Sequence, residues 1–159
     1  MLFRSGWKLS GIVTAQTGTP LTVLTLANQD PTGQGCLGPS PCSVRPDMVA
    51  NPNAGAPQTF GEWFTMAGFK DVPLGAFRNG TSPRGGVRGP GYWLTNFALF
   101  KSFRMTERLG SQFRLETLNT FNHTNPVCCG SLSLGSSLFD KINSTRDPRA
   151  VQLGLKLNF

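Results

Sequence analysis

The sequence predicts an all-β fold, an antiparallel up-and-down meander of about five strands from the C-terminal end of a transmembrane β-barrel. Two observations carry this prediction. Segments of about ten residues alternate between apolar and polar side chains, which is the pattern of a strand with two different faces. Charged residues make up only 14% of the 159 positions, while glycine (19), proline (12) and phenylalanine (12) are frequent. Glycine and proline interrupt helices, and phenylalanine favours strands.

The alternation is clearest in residues 150–159, where every odd position from Val151 onward is apolar. In a membrane barrel such a face meets lipid, and a spanning strand needs about 9–11 residues. We therefore expect Phe159 to be the last residue of a lipid-facing strand. A slip of one residue would place Lys156 in lipid, so the same residues set the register of the strand.

The same period of two predicts further strands near residues 7–17, 93–104 and 111–122, with a weaker one at 20–26. Charges at alternate positions suit a water-filled lumen better than a dry core. Phe100 on the polar face and Lys101 on the apolar face are exceptions to the pattern. Five polar side chains are candidates for facing the lumen, namely Gln112, Arg114, Glu116, Gln152 and Lys156.

The connections between these strands alternate in length. Gly18-Thr19 and residues 105–110 are short, whereas 27–92 and 123–149 are long and irregular. Outer-membrane barrels combine short periplasmic turns with long extracellular loops. This polarity predicts two belts of interfacial aromatic side chains. Trp7, Trp93 and Phe121 are expected near the outer interface, and Phe103 and Phe159 near the inner one.

The remaining composition excludes some functions and leaves others open. The chain has one histidine and no nucleophile elbow or phosphate-binding loop, so we expect no catalytic residue, cofactor or metal site. No run of 18 apolar residues occurs. The first residues lack a secretory signal, which predicts a fragment of a longer chain.

The net charge of +7 and the Arg84–Gly91 stretch keep open a second function, a module that binds single-stranded nucleic acid. A soluble β-sandwich adhesin is a third possibility.

The four cysteines form two sequence pairs. Cys36 and Cys42 flank two prolines in a segment expected outside the cell, so we predict a disulfide between them. Cys128 and Cys129 are adjacent, and a bridge between neighbours strains disulfide geometry. We therefore expect a bridge there less than between Cys36 and Cys42, and the state of this pair stays open.

Nine short segments of the chain, taken in order, resemble the barrel end of Oar-like TonB-dependent receptors, whose full chains carry a carboxypeptidase-regulatory-like domain and a plug. These segments are Gly6–Gly11, Gly18–Val23, Arg45–Asp47, Arg88–Gly91, Phe97–Phe103, Gln112–Glu116, Phe121–Asn125, Ser144–Arg149 and Leu155–Phe159, with Gln152 ahead of the last.

The resemblance implies a location in the bacterial outer membrane and uptake of a substrate with TonB energy. Barrels of such transporters have about 22 strands, of which this chain would supply about five. The implied partners are outer-membrane lipid, the remaining barrel and plug, TonB and the barrel-assembly machinery, with no nucleic acid. The resemblance also implies that Leu155, Leu157 and Phe159 form an assembly signal. The substrate stays open.

Overall fold

The structure is a computed structural model that describes residues 5–25, 30–33, 44–107 and 109–159. These residues contain a single turn of 3-10 helix at Met66–Gly68 and short and long strands. No helix in the described ranges has the length and apolar character required to cross a membrane. The strands, in chain order, are β1 Trp7–Gln16, β2 Pro20–Leu21, β3 Asp47–Met48, β4 Phe69–Lys70, β5 Val87–Arg88, β6 Tyr92–Arg104, β7 Gly110–Leu118, β8 Pro126–Val127, β9 Ser144–Thr145 and β10 Ala150–Asn158.

The described residues form two compact units. The first, here called the sheet unit, comprises the described parts of Met1–Gln16, Tyr92–Asn125 and Asp147–Phe159. The second, here called the loop unit, comprises those of Thr17–Gly91 and Pro126–Arg146.

The sheet unit is built on four long antiparallel strands in the order β1-β6-β7-β10. Their pairing is continuous, with Trp7 opposite Lys101 at one end of β1 and Gln16 opposite Tyr92 at the other. A short turn joins β6 to β7, which pair from Arg104–Gly110 onward. The all-β antiparallel prediction is therefore confirmed, and four of the five predicted strands lie in one sheet.

The predicted strand at 20–26 does not join this sheet. Within its described part, only Pro20 and Leu21 pair with another strand, and their partner is β5 in the loop unit. Val23 is buried in the core of that unit, and the backbone of Leu24 bonds Leu132 and Leu134. Proline has no N–H to donate to a ladder, and burial of Val23 commits the segment to the loop unit's core. The expectation of a fifth meander strand was wrong.

Because residues 20–26 do not form a strand of this sheet, β1 runs across the sheet in the opposite direction to the one expected. The chain leaves β1 at Gln16 and enters β6 at Tyr92, the residue paired with Gln16. The long segment 17–91 therefore starts and ends at the same end of the strands. Trp7 therefore lies at the opposite end, where Phe103 pairs with Ser111 beside the short turn. The expectation that Trp7 shares a belt with Trp93 and Phe121 was wrong.

Gly18-Thr19 is not a hairpin turn of the sheet either. A side chain at Gly18 would collide with the carbonyl oxygen of Gly89, so the backbones of the two residues meet closely. The Gly89 N–H donates to the carbonyl of Thr19 at 3.0 Å. Glycine is required here for close approach of two backbones within the loop unit.

The loop unit has a small aromatic core. Phe64, Phe69 and Phe139 meet edge to face, with ring centroids 5.3 to 6.4 Å apart. Val23 and Val87 bring the segments around β2 and β5 into the same cluster. Edge-to-face packing is the favoured arrangement of such rings. The long segments predicted as irregular thus fold around a core of their own.

A clamp of polar contacts fixes the start of β3. The Arg45 guanidinium donates to the carbonyl of Ser82 at 2.6 Å. Asp47 accepts both terminal nitrogens of Arg78 at 2.7 and 2.8 Å, and the backbone N–H of Thr81 at 3.0 Å. Bidentate pairing of arginine with a carboxylate fixes the geometry as well as the charge. The Arg45–Asp47 segment therefore holds residues 78–82 in place.

The cysteine predictions have separate outcomes. The structure pairs Cys128 with Cys129 in a disulfide, the bridge that the sequence made the less expected of the two. Both residues pack against the core of the loop unit. The predicted Cys36–Cys42 bridge lies outside the described residues.

Candidate functional site

The sheet unit has two chemically different faces. Directly paired residues of antiparallel strands share a face, and the register here pairs odd positions with odd positions throughout. One row across the sheet consists of Leu9, Leu99, Leu115 and Leu153. Leu9 and Leu153, on the two outer strands, are 70% and 65% exposed. The odd face is therefore a continuous apolar surface open to the surroundings.

The apolar face exposes large side chains on all four long strands. Besides the leucines it carries exposed Trp7, Val13, Trp93, Phe113 and Val151. Contiguous apolar patches larger than a few hundred Å² mark interaction with a partner or a membrane. Strands that alternate between an apolar and a polar face are the building elements of transmembrane barrels.

The five residues predicted to face a lumen lie together on the opposite face. Glu116 pairs directly with Gln152, and Gln112 pairs directly with Lys156. Arg114 lies between these two pairs and faces Gly154. A cavity of about 240 Å³ is lined by Arg114, Glu116, Gln152, Gly154 and Lys156, with Leu155. The predicted set is thus one contiguous polar surface.

Phe100, an exception to the alternation, supports Arg114. It pairs with Arg114 across β6 and β7, and the guanidinium carbon lies 5.5 Å from the centre of the ring. The Nε of Arg114 also donates to Oε1 of Gln112 at 2.9 Å. The ring and the amide together hold the guanidinium in a defined position on the polar face.

Lys101, the exception on the apolar face, is enclosed by its own chain. Its side chain is 2% exposed. The ammonium group donates to the carbonyl of Ser5 at 2.6 Å and lies 4.6 Å from the Trp7 ring centre and 5.5 Å from that of Phe103. Burial of a charge is tolerated where hydrogen bonding and aromatic faces replace water. Lys101 therefore does not interrupt the apolar surface.

The end of the sheet beside the short turn carries the residues expected to form an assembly signal. Leu155 and Leu157 lie on the apolar face, opposite Phe113 and Ser111. β10 ends at Asn158, so Phe159 follows the strand directly and its side chain is fully exposed. A second cavity, of about 680 Å³, lies at this end and is lined in part by Arg104, Lys156 and Phe159.

The other end of the sheet is closed by an asparagine cluster that sequence reasoning missed. β7 ends at Leu118, four residues earlier than predicted. On the side of Trp93 away from β1, the side chain of Asn125 takes the place of the missing strand. Its Oδ1 accepts the Trp93 N–H at 3.0 Å, and its Nδ2 donates to the Trp93 carbonyl at 2.9 Å. The ring of His123 stacks on Trp93 with centroids 4.4 Å apart.

Asn119 and Asn122 make the tight turn that brings Asn125 to this position. Both have positive φ, at 49° and 51°, a conformation that asparagine tolerates better than most residues. The Asn119 side chain accepts the His123 N–H and donates to the His123 carbonyl, each at 3.0 Å. The spacing of three between the asparagines was the available signal, because asparagine favours turns over strands.

The Arg84–Gly91 stretch is folded into the loop unit. Val87 and Arg88 form β5, and Gly85 donates its N–H to the Thr22 hydroxyl at 3.0 Å. The Arg88 carbonyl accepts the indole N–H of Trp63, and its guanidinium donates to the Gly18 carbonyl. Here the glycines allow close packing, and the stretch leads into β6 at Tyr92.

Two carboxyl groups of the loop unit have shifted pKa values, and one of them belongs to the clamp. The hydrogen bonds from Arg78, the leading cause, lower the pKa of Asp47 to about 2. Burial, followed by the nearby Glu62 charge, raises the pKa of Asp140.

A sheet with one lipid-compatible face and one polar face defines the class of outer-membrane β-barrel proteins. The chain matches a family model described as an outer membrane beta barrel domain over residues 2–152, so it belongs to that family. The family implies an outer-membrane location in general. No curated protein and no solved structure matches the chain.

Proposed function

We propose that the chain is the C-terminal part of the barrel of a TonB-dependent outer-membrane transporter of the Oar-like kind. In this proposal it takes part in substrate uptake only within a complete barrel. The observation that carries the proposal is the sheet of β1, β6, β7 and β10, with an exposed apolar face and a polar face that holds Arg114 and Lys156.

The sheet needs further strands to work in a membrane. Within the described residues β1 and β10 each have a neighbour on one side only. Lipid offers no partner to unpaired backbone groups, and the smallest membrane barrels have about eight strands. The proposed partners are therefore the remaining strands and plug of the same transporter, together with outer-membrane lipid.

The transporter class is supported by the resemblance and by the places where its segments fall. Phe121–Asn125 forms the asparagine cluster at one end of the sheet, and Arg45–Asp47 forms the clamp of the loop unit. Both segments fix local geometry. In the proposal TonB supplies the energy, the chain carries no catalytic step, and no nucleic acid takes part, since the Arg84–Gly91 stretch packs within the loop unit.

The orientation of the sheet follows from its connections. The two long segments leave β1 and β7 at the same end, which is assigned to the cell exterior. The short turn after Arg104 and the end of β10 then lie on the periplasmic side. Leu155, Leu157 and Phe159 are proposed there as the signal that the assembly machinery recognises.

The facing of the sheet is tested by a pair of neighbouring substitutions. Leu153→Arg places a charge on the apolar face, at a cost of about 2–4 kcal/mol near mid-membrane. Gln152→Arg places the same charge on the polar face. We expect the first to reduce the yield of heat-modifiable protein in the outer-membrane fraction and the second to leave it unchanged. Equal yields for both variants would contradict the assignment of the faces.

The need for further strands is tested at the edges of the sheet. A photo-crosslinking residue at Ser10 on β1, or at Gln152 on β10, should capture a chain segment that bears the remaining barrel and plug. Mass spectrometry identifies the captured peptide. Capture of a second copy of this chain at both positions would instead indicate a barrel assembled from identical subunits and would refute the proposal.

A further inference from the structure

We infer that Arg114 and Lys156, on either side of a gap at Gly154, form a binding subsite for the oxyanion group of a small solute. The inference rests on the proposed function, because it places the subsite on the inner wall of the barrel. It goes further by naming the chemical class of solute, one that carries a phosphate or carboxylate group.

The first step is the charge of the polar face. Along the four long strands its charged residues are one acid, Glu116, and four bases, Lys8, Arg104, Arg114 and Lys156. A wall with this balance attracts anions, as rings of arginine and lysine do in anion-selective pores. The net charge of the wall alone would concentrate anions without giving them a defined place.

Gly154 leaves room for an anion at a defined position on this face. It lies opposite Arg114, between Gln152 and Lys156, where every neighbouring cross-strand pair has two side chains. The missing side chain opens the cavity of about 240 Å³ described above. A glycine in the interior of a strand weakens the strand, and it often marks a position that a ligand approaches closely.

Arg114 is prepared to bind an oxyanion. Its Nε is held by Gln112 at 2.9 Å and its guanidinium lies against Phe100, so little rotational freedom remains to be lost on binding. Among the described residues its two terminal nitrogens have no hydrogen-bond partner, and neither does the ammonium group of Lys156. Arginine binds phosphate and carboxylate through two parallel hydrogen bonds.

Glu116 and Gln152 limit which anions fit. They pair with each other across β7 and β10, on the side of the cavity toward Leu118 at the end of β7. A carboxylate at this position repels a solute that is anionic throughout and accepts hydrogen bonds from hydroxyl or ammonium groups. The subsite therefore favours a solute with donor groups beside its oxyanion.

The test measures binding of inorganic phosphate to the full chain by phosphorus NMR. The protein is purified in a zwitterionic detergent from whichever cell fraction contains it. Saturable broadening of the phosphate resonance is expected for the wild-type chain. Arg114→Gln should weaken binding about tenfold or more, since a charge-assisted pair is lost. Lys8→Gln is the matched control, because it removes a charge from the same face outside the cavity, and it should change binding less than about twofold.

A second variant tests the gap itself. Gly154→Val removes no charge but places a branched side chain in the cavity opposite Arg114, and we expect it to weaken phosphate binding about fivefold or more, by loss of contact with Arg114. If valine prevents folding, as judged by circular dichroism, Gly154→Ala serves instead. Its Cβ would lie 3.7 Å from Cβ of Arg114, an ordinary contact, and a smaller weakening is expected.

The outcomes separate the alternatives. Equal weakening by Arg114→Gln and Lys8→Gln would show general attraction to a basic surface and overturn the subsite. Unchanged binding in the folded Gly154 variant would also overturn it. Competition by acetate supports a carboxylate as an alternative source of the oxyanion, and lack of competition supports phosphate. Absence of the chain from the outer-membrane fraction would refute the proposed function while leaving the binding result standing.

Discussion

Replacement of Asn125 by alanine should open the end of the sheet that carries Trp93. The Asn125 side chain is 1% exposed and satisfies both backbone groups of Trp93, at 3.0 and 2.9 Å. β7 has ended at Leu118, so on the side of Trp93 away from β1 no strand is present to replace these bonds. Leaving a buried polar group without a partner costs about 1–3 kcal/mol. Two such groups, with partial access of water, give an expected loss of about 2–4 kcal/mol.

The local measurement is hydrogen exchange at the Trp93 amide. A loss of about 2–4 kcal/mol corresponds to a protection factor about 30- to 1000-fold lower. Asn143→Ala is the matched control, because Asn143 is exposed, and a surface change of this kind should alter stability by less than about 0.5 kcal/mol. Trp93 exchange in Asn125→Ala within about threefold of the wild type would refute this account of the cluster.

Two further results are expected. Arg78→Gln should return the pKa of Asp47 from about 2 toward its ordinary value of 3.8, as measured by NMR titration of the carboxyl group. Because the pKa of Asp47 is depressed in the folded state, the ion pair stabilises the fold at pH above about 4, and this stabilisation is lost as the pH falls toward 2. The free energy of unfolding of the variant should therefore depend less on pH between about 4 and 2. An unchanged pKa of Asp47 in the variant would contradict the clamp. Deletion of Phe159 in the full-length parent should lower the yield of assembled, heat-modifiable barrel, and Phe159→Tyr should preserve it; an unchanged yield on deletion would exclude Phe159 from the assembly signal.

The two outer strands of the sheet, β1 and β10, were predicted to within one residue at each end, and they bury neither face in this chain. β10 was expected at 150–159 and occupies Ala150–Asn158, because period-two alternation alone decides which side each residue faces. The five polar candidates on β7 and β10 follow from the same rule. Their grouping around Gly154 was not predicted, because it depends on the register between strands as well as on the alternation within one.

The errors arose where local pattern competes with contacts distant in sequence. The segment at 20–26 alternates weakly, and burial of Val23 with Phe139 in the loop unit outweighs that alternation. The overestimated end of β7 has a different cause. Phe121 continues the apolar series of the strand, but the chain already turns at Asn119, whose side chain bonds His123. Propensity for a turn prevailed over periodicity at that position.

The direction of β1 shows how one misassigned strand alters a functional interpretation. In an up-and-down meander each strand reverses the chain, so removal of one strand inverts the orientation of everything before it. Trp7 moves to the end of the sheet that holds Phe103, and Lys101 lies between the two rings. The Lys101 ammonium donates to the Ser5 carbonyl beside these two rings, and together they replace water around the buried charge. The four-strand topology thus brings Ser5, Trp7 and Phe103 together around Lys101, which the five-strand prediction left as an exception.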